Sequence, residues 1–424
     1  MLLALIIFVA SIALVIIRPR PFNEATAAGL GAVVIVIAGI VSPVQVWSVF
    51  LDNLNVLLFF LGLMVVSIVA EKAGFFEWCA QKTVKIAGGK GPVLLAAVFG
   101  LGTVITAFFS NDATALILTP IVFTLVTRLK LNPLPYVFAC AFIANAASML
   151  LPVSNPVNLL AVEEFNLKLG DYLKHLLIPS LIVISLTIGL FMLVFRKSIF
   201  TVSGEKLDQT PVKIDRFFIC TSGFLALTAL GYIIVSIYGQ PLFYPAVGGA
   251  VLLVTGAFTF RRINIGQVYR GISWSIFLFI FALGVLVKGL QNSGVIQLLT
   301  DKLVELTAYG PLQALFSVTL GTALGSNLIN NWPMMMVSVA SLENLANQGA
   351  GLNPVLIYGA IMGADLGPNI AVLGSLSSML WLSLLRKRGL DIHPLQFLKL
   401  GLIVTPVALI IGVLALYLCS IWWG

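Results

Sequence analysis

The sequence predicts an all-α integral membrane protein made of two inverted-topology repeats, with about ten transmembrane helices, two re-entrant hairpins and two broken helices. Three observations lead to this prediction. The chain of 424 residues is 60% hydrophobic and only 9% charged, with a mean hydropathy of +1.08. A polar motif in the first half recurs in the second half at a nearly constant offset. Lys and Arg are concentrated in alternate predicted loops.

The composition excludes a soluble domain, because too few polar residues are present to cover a globule. A span needs about 20 apolar residues, so the chain has room for about ten spans. The net charge of +8 is attributed to cytoplasmic loops, and we expect membrane lipid, not nucleic acid, as a partner. The four cysteines form no CxxC pair. Neither a metal site nor a disulfide framework is therefore indicated, and no cofactor is expected.

The first repeat is predicted to cover residues 1–197. Apolar runs define its crossings, and the stretch from Phe75 to Ala87, with polar residues at helical spacing, suits a helix lying at the membrane interface. The predicted elements are scaffold helices within 2–70, a hairpin at 92–127, a broken helix at 134–162 and a helix at 176–195.

The second repeat is predicted to cover residues 217–424, after a polar cytoplasmic linker at 198–216. It follows the same plan. The predicted elements are scaffold helices within 217–290, an amphipathic stretch at about 294–308, a hairpin at 311–342, a broken helix at 354–385 and a helix at 397–420.

Polar residues interrupt four of these apolar segments. In the first hairpin the sequence FFSNDATALILTP places Ser110, Asn111 and Asp112 where the chain has to turn. The first broken helix contains PVSNPVN, in which Pro152 and Pro156 remove backbone donors. Non-helical backbone at membrane depth survives only inside protein or beside a water-filled cavity. We therefore expect the four interruptions to lie together in the interior of the protein.

The two halves are related by an offset of 219 to 220 residues (330 − 111 and 365 − 145). The repeated polar positions are Asn111 with Asn330, Asp112 with Asn331, Asn145 with Asp365, and Ser154–Asn155 with Gly374–Ser375. An odd number of crossings in each half makes the second half enter the membrane from the opposite side. A topology with both termini outside places most of the 24 Lys and Arg residues in the cytoplasm, which supports this arrangement.

The four polar interruptions are the candidate transport site. Half-helix ends expose unpaired amides and carbonyls, which bind a small polar solute or an ion. Desolvation favours the protonated form of a carboxyl group, so Asp112 and Asp365 are the candidate proton-coupling residues. No Walker A sequence is present, so we expect a secondary transporter and not an enzyme. The candidate substrate-binding residues are Ser110, Asn111, Asn145, Ser154, Asn155, Asn158, Asn330, Asn331, Gly374 and Ser375.

Four stretches carry a resemblance to a known family. They are FFSNDATALILTP, AGFFEW at 73–78, VSNPVN, and GADLGPN followed by GSLSSMLWL. Together they look like the bacterial arsenite efflux permease family, ArsB, of the ion transporter superfamily, and the similarity spans essentially the whole chain. The resemblance implies export of arsenite or antimonite across the inner membrane in exchange for protons, in some members with a cytoplasmic arsenite-stimulated ATPase. Family members commonly carry an acid where this chain has Asn145, which leaves one fewer candidate proton carrier here.

Other interpretations stay open at this point. A sodium-coupled dicarboxylate carrier or a sodium/proton antiporter of the same superfamily would share the architecture, although no Lys or Arg lies near the four interruptions to bind a carboxylate. An intramembrane aspartyl protease would use Asp112 and Asp365 as a dyad, but its GxGD pattern is missing. The oligomeric state is also open, with a homodimer among the options.

Overall fold

The computed structural model describes residues 1–17, 22–200, 212–347 and 352–423, and all regular structure within them is helical. The first repeat contains α1 (Leu2–Ile17), α2 (Glu24–Ile37), α3 (Pro43–Asp52), α4 (Leu54–Lys72), α5 (Phe75–Ala87), α6 (Gly91–Phe108), α7 (Asn111–Ala113), α8 (Thr119–Arg128), α9 (Leu134–Ala146), α10 (Pro156–Glu164) and α11 (Leu169–Val194). A π-helical turn, Thr114–Leu118, joins α7 to α8.

The short helix α12 (Arg196–Phe200) follows the first repeat, and residues 201–211 of the predicted linker lie outside the described residues. The second repeat contains α13 (Arg216–Ile237), α14 (Phe243–Thr259), α15 (Ile265–Gly271), α16 (Trp274–Asn292), α17 (Val295–Thr307), α18 (Pro311–Ile329), α19 (Asn331–Asn347), α20 (Val355–Leu366), α21 (Leu376–Lys387) and α22 (Pro394–Trp423).

In the described part of the chain, seven helices are long and apolar enough to cross a membrane: α4, α6, α11, α13, α16, α18 and α22. Four apolar helices are shorter, namely α1, α2, α9 and α14. Two of the seven, α6 and α18, are the first arms of the hairpins, and α9 is the first half of a broken helix. The predicted all-helical membrane fold is confirmed, while the count of ten crossings stays a prediction.

The two repeats contact each other reciprocally. α4 packs against α14, and α16 packs against α2, so the third crossing of each repeat contacts the second crossing of the other. The final helices of the two repeats, α11 and α22, pack against each other. Exchanging the repeats leaves these contacts unchanged, which is the pattern that a pseudo-twofold axis between inverted repeats produces.

α4 and α16 run between two opposite faces of the protein. On one face Asn132 Nδ2 donates to Ser198 Oγ at 3.0 Å, and this face is here termed the linker side. On the other face Asn292 Nδ2 donates to the carbonyl oxygen of Ile40 at 2.8 Å, and this face is termed the terminal side. The predicted topology assigns the linker side to the cytoplasm and the terminal side to the exterior.

Each hairpin turns at a residue with positive φ. Ser110 has φ 147° and Asn330 has φ 75°. The structure therefore relates the two tips at an offset of 220 (330 − 110), so that Asn111 corresponds to Asn331 and Asp112 to Trp332, one residue away from the predicted pairing. Non-glycine residues seldom adopt this region, and such strain persists only where surrounding structure fixes it. Ser110 Oγ accepts from the Ala113 N–H at 3.2 Å, and Asn330 Oδ1 accepts from the Trp332 N–H at 3.3 Å. Each tip residue therefore caps the helix that follows it.

Each broken helix resumes at a capping residue. Asn155 and Ser375, 220 positions apart, both have extended backbone, with φ of −144° and −140°. Asn155 Oδ1 accepts from the Val157 N–H at 3.1 Å, and Ser375 Oγ accepts from the Ser378 N–H at 3.1 Å. The N-termini of α10 and α21 therefore begin inside the protein, with their positive dipole ends at the breaks.

Several helices differ from the sequence prediction. The short helices α3, α12 and α15 were not expected. α3 begins with a capping box between Ser42 and Gln45 and with Pro43 at its first position. Both features are sequence signatures of a helix start. The sequence stays apolar to Val41, but α2 ends at Ile37, because the chain turns at Gly39, whose φ is +70°.

The contact between α4 and α14 depends on Gly62. A Cβ atom there would lie 2.5 Å from the backbone carbonyl carbon of Ala246. We expect Gly62→Ala to lower the free energy of unfolding by about 1–3 kcal/mol, the usual cost of overpacking. This loss is measured as a lower thermal midpoint of unfolding of the purified protein in detergent. Gly100→Ala is the matched control, because no atom lies within 4 Å of its added Cβ. Equal midpoints for the two variants would contradict the close packing.

Candidate transport site

The hairpin tips and the helix breaks lie together. Within the first repeat, Ser154 Oγ donates to the carbonyl oxygen of Ala107 at 3.2 Å, which joins the first break to α6. Within the second repeat, Asn330 Nδ2 donates to the carbonyl oxygen of Leu373 at 3.3 Å, which joins the second tip to the second break. Each hairpin is thus held against the break of its own repeat.

A second kind of contact crosses between the repeats at Asp112. Ser377, in the first turn of α21, donates from its hydroxyl to Asp112 Oδ1. The first hairpin tip therefore contacts the second break. The Asp112 N–H donates to Asn111 Oδ1 at 2.9 Å, so the predicted site residue Asn111 shapes the tip that presents this carboxylate.

Asp365 is held by two asparagines of the other repeat. Asn155 Nδ2 donates to Asp365 Oδ1 at 2.7 Å, and Asn158 Nδ2 donates to Asp365 Oδ2 at 2.9 Å. Asp365 is 1% exposed. Among the residues that the structure describes, no salt bridge reaches Asp365 or Asp112. Each oxygen of this buried carboxylate therefore has an amide donor, but no cation neutralises it.

Asn145, the repeat equivalent of Asp365, likewise forms hydrogen bonds with residues of the opposite repeat. Asn145 Nδ2 donates to Asn369 Oδ1 at 2.9 Å and to Ser378 Oγ at 3.4 Å. Ser378 is the repeat equivalent of Asn158 (378 − 158 = 220). Asp365 and Asn145 are thus each bound by the second half of the broken helix in the opposite repeat, so the two breaks are joined by matching contacts.

Two buried amide oxygens at this centre, Asn158 Oδ1 and Asn331 Oδ1, have no hydrogen-bond partner within the described residues. Both belong to side chains beside Asp365, because Asn158 contacts its carboxylate and Asn331 Nδ2 lies 3.5 Å from the carbonyl oxygen of Ala364. A buried acceptor without a donor costs free energy. A ligand that donates hydrogen bonds would satisfy both oxygens.

The remaining predicted residues shape the second break. Ser375 Oγ donates to Ser378 Oγ at 2.8 Å. Gly374 permits a close approach of two short 3₁₀ turns, because a Cβ atom there would lie 2.6 Å from Pro368 Cα. We therefore assign Gly374 to packing of the break.

Three residues of the site were missed by sequence analysis: Ser377, Ser378 and Asn369. All three lie inside the quoted motifs GSLSS and GADLGPN. Ser378 could have been predicted from the sequence, since a side chain three residues after an N-cap is a recognised capping partner. Nothing in the sequence indicated that Ser377 contacts Asp112, because the two residues lie 265 positions apart.

A cavity of about 250 Å³ opens beside the first tip. Ser110 and Asp112 line it, together with Glu71 at the C-terminal end of α4 and Ser273 before the start of α16. It is here termed the linker-side cavity. A volume of this size holds several water molecules at about 30 Å³ each, so a small hydroxylated solute can approach Asp112 from the linker side.

A buried polar centre between two inverted repeats, built from broken helices and hairpin tips and approached by a cavity, defines a secondary membrane transporter. The family model described as "Citrate transporter" matches residues 12–364. Proteins named "Arsenical pump membrane protein" from Yersinia enterocolitica and Escherichia coli are 32% and 33% identical to this chain over 424 residues, with 99% of each chain covered. The chain belongs to the ArsB family of arsenical pump membrane proteins, within the ion transporter superfamily.

Solved transporter structures share the fold. The YdaH transporter of Alcanivorax borkumensis superposes with a TM-score of 0.61 at 16% identity, covering 90% of this chain and 87% of that one. MtrF of Neisseria gonorrhoeae, described with a class of antimetabolite efflux pumps, gives a TM-score of 0.61 at 13% identity, covering 99% and 94%. At these identities the likeness concerns the fold alone.

Asn155 and Asp365 are expected to be energetically coupled. Asn155→Ala leaves Asp365 Oδ1 without its donor, which costs about 1–3 kcal/mol of unfolding free energy. The same substitution in an Asp365→Ala background should cost less, because the acceptor is gone and only the cap of α10 is lost. Unfolding of the four proteins of this double-mutant cycle gives the coupling energy. Additivity within about 0.5 kcal/mol, as expected for independent sites, would contradict the contact.

Proposed function

We propose that the protein exports arsenite or antimonite from the cytoplasm in exchange for protons, by alternating access. The Asp365 cluster carries this proposal, since it is a carboxylate bound by the neutral amide donors of Asn155 and Asn158, next to two unpartnered amide oxygens. Such a centre accepts hydrogen bonds and offers no positive charge. It therefore favours an uncharged solute with several hydroxyl groups over an anion. The names of the arsenical pump relatives support the same substrate.

Arsenite near neutral pH is mainly the uncharged trihydroxide, which matches this chemistry. Its hydroxyl groups can donate to Asn158 Oδ1 and to Asn331 Oδ1. A trithiolate site would need three cysteines together, and no group of three His, Cys, Asp or Glu side chains suited to metal binding occurs in the described part of the chain. The solute is then held by hydrogen bonds alone, which permits its release.

Proton exchange supplies the energy that a neutral solute cannot take from the membrane potential. One proton moving through 100 mV provides about 2.3 kcal/mol, which sustains a solute gradient of about 50-fold. In this proposal Asp112 and Asp365 carry the proton. Protonation of Asp112 alters its hydrogen bond with Ser377, and because this bond joins the first hairpin to the second repeat, proton binding changes how the repeats hold each other.

The description of the matching family model, "Citrate transporter", favours an anion carrier as the second candidate, which corresponds to the sodium-coupled dicarboxylate carrier or sodium/proton antiporter of the same superfamily. An anionic substrate would meet two carboxylates, and no described Lys or Arg forms a salt bridge with either of them. The described ion pairs of Arg262 and Arg386 lie instead at helix ends, with Asp215 and Asp391. The charge of the site therefore supports the neutral solute.

An aspartyl protease does not suit this geometry. The two acids of a protease dyad share one proton and lie side by side. Here Asp112 bonds Ser377, whereas Asp365 lies between Asn155 and Asn158. Each acid has its own partners, as expected for two separate steps of a carrier.

The proposal places this multi-pass protein in the bacterial inner membrane, surrounded by lipid, with both termini outside. The linker-side cavity then faces the cytoplasm, where the solute is taken up. Exchange for protons needs no ATP. A cytoplasmic arsenite-stimulated ATPase and a second copy of the chain are compatible partners, and the mechanism requires neither.

We expect Asp112→Asn to reduce pH-driven arsenite uptake into everted membrane vesicles to background, because an amide cannot release a proton. Asp301→Asn is the matched control, since Asp301 is an exposed acid on α17 that accepts from Gln297 at 2.8 Å, and this variant should transport like the wild type. Immunoblots confirm equal amounts of protein. Undiminished uptake by Asp112→Asn would rule out this carboxyl group as a proton carrier.

The two candidate functions make opposite predictions for sodium. With the pH gradient and the sodium gradient imposed separately, we expect arsenite uptake to follow the pH gradient alone. Replacing sodium by choline should leave the rate unchanged, and excess citrate should not compete. Uptake driven by sodium, or inhibition by citrate, would instead support the anion carrier.

A further inference from the structure

A second cavity, of about 570 Å³, opens on the terminal side. It lies between α4, α10, α16 and α19, and it is here termed the terminal-side cavity. The linker-side cavity lies between α4, α16, α21 and the returning arm of the first hairpin. The same two scaffold helices thus line both cavities, which open on opposite faces of the protein.

The two cavities are repeat-related copies of one another. Lining residues of one correspond to lining residues of the other at an offset of 220 (273 − 53, 380 − 160 and 287 − 67). These pairs are Asn53 with Ser273, Leu160 with Leu380, and Val287 with Ser67. The pseudo-twofold axis that exchanges the repeats therefore also exchanges the cavities, so both belong to one transport route.

On α4 the two cavities approach within one helical turn. Val56 lines the terminal-side cavity and Phe60 lines the linker-side cavity, and four residues span about 6 Å of helix. The Phe60 ring packs against Trp332 at 6.4 Å and against Phe277 at 6.0 Å between centroids. Trp332 lies one turn before Met336, which lines the terminal-side cavity.

We propose that Phe60, Phe277 and Trp332 form an aromatic barrier between two aqueous routes to the transport site, with solute entering by the linker-side cavity and leaving by the terminal-side cavity. The identity of the solute rests on the proposed function, whereas the barrier does not. An apolar constriction excludes water and ions. Phe60 and Trp332 are 3% and 6% exposed, so the barrier is closed in this structure.

The charge of the two routes suits the same solute. Carboxylates on both routes repel anions and favour neutral solutes and cations, including protons. The linker-side cavity contains Glu71 and Asp112, and the terminal-side cavity contains Asp52, Glu163, Glu164 and Glu343 with Lys288.

Cysteine labelling from each face of the membrane tests the barrier. Ser67→Cys and Val287→Cys report on repeat-related positions in the two cavities, in a background in which Cys79, Cys140, Cys220 and Cys419 are replaced by Ser. A charged, membrane-impermeant thiol reagent is added to everted and to right-side-out vesicles. We expect Ser67→Cys to react only from the linker side and Val287→Cys only from the terminal side.

Removing the barrier should abolish this sidedness. Phe60→Ala is expected to raise labelling of Ser67→Cys from the terminal side by about tenfold or more, which corresponds to about 1.4 kcal/mol off the permeation barrier. Phe60→Leu keeps an apolar wall and should leave the sidedness unchanged. Phe277→Ala provides the same test should Phe60→Ala fail to fold, as judged by size-exclusion chromatography.

Two outcomes would overturn the proposal. One is equal labelling of either reporter from both faces while the barrier is intact. The other is unchanged sidedness in a folded Phe60→Ala or Phe277→Ala protein. Labelling needs neither arsenite nor a proton gradient, so these outcomes are distinguishable from a failure of the proposed exchange.

Discussion

A carboxylate at membrane depth is the constraint on which the rest of this structure depends. On insertion scales it costs about 2.5–3.5 kcal/mol, so donors have to replace the water it has lost. Asp365 obtains them from Asn155 and Asn158, and Asp112 obtains one from Ser377. In each case the donor comes from the opposite repeat. Neither acid has these donors unless the other half of the chain is in place.

The need for hydrogen-bond partners away from water also determines the backbone shape at the helix breaks. Helix ends inside a membrane protein need partners for their free N–H groups, and Asn155 serves both needs at once. Its Oδ1 caps α10, while its Nδ2 donates to Asp365. A single side chain thus couples the local end of a helix to a contact between the two repeats. The shape of the break and the position of the acid therefore depend on each other.

The sequence predicted those parts of the architecture that show up as hydropathy patterns or as repeated motifs. The offset of 219 to 220 residues paired Asn145 with Asp365 and located the counterpart of Asp112 to within one residue, and hydropathy located the membrane helices. The sequence did not predict the hydrogen bonds between the two repeats, because a repeat shows which positions are equivalent and not which positions are in contact. Ser377 illustrates the limit: its hydroxyl lies in a quoted motif, but only the packing of α21 against the first hairpin brings it to Asp112.

The repeat-related positions are chemically unequal, since Asp112 corresponds to Trp332 and Asp365 corresponds to Asn145. A carrier with identical halves would spend equal time facing inward and outward, because symmetry would make the two states equivalent. In the proposed exchange each acidic group lacks an acidic counterpart, so symmetry does not make the two orientations equivalent, and acidity would shift the balance between them. In a carrier built this way, the resting orientation responds to the surrounding pH even when no solute is bound.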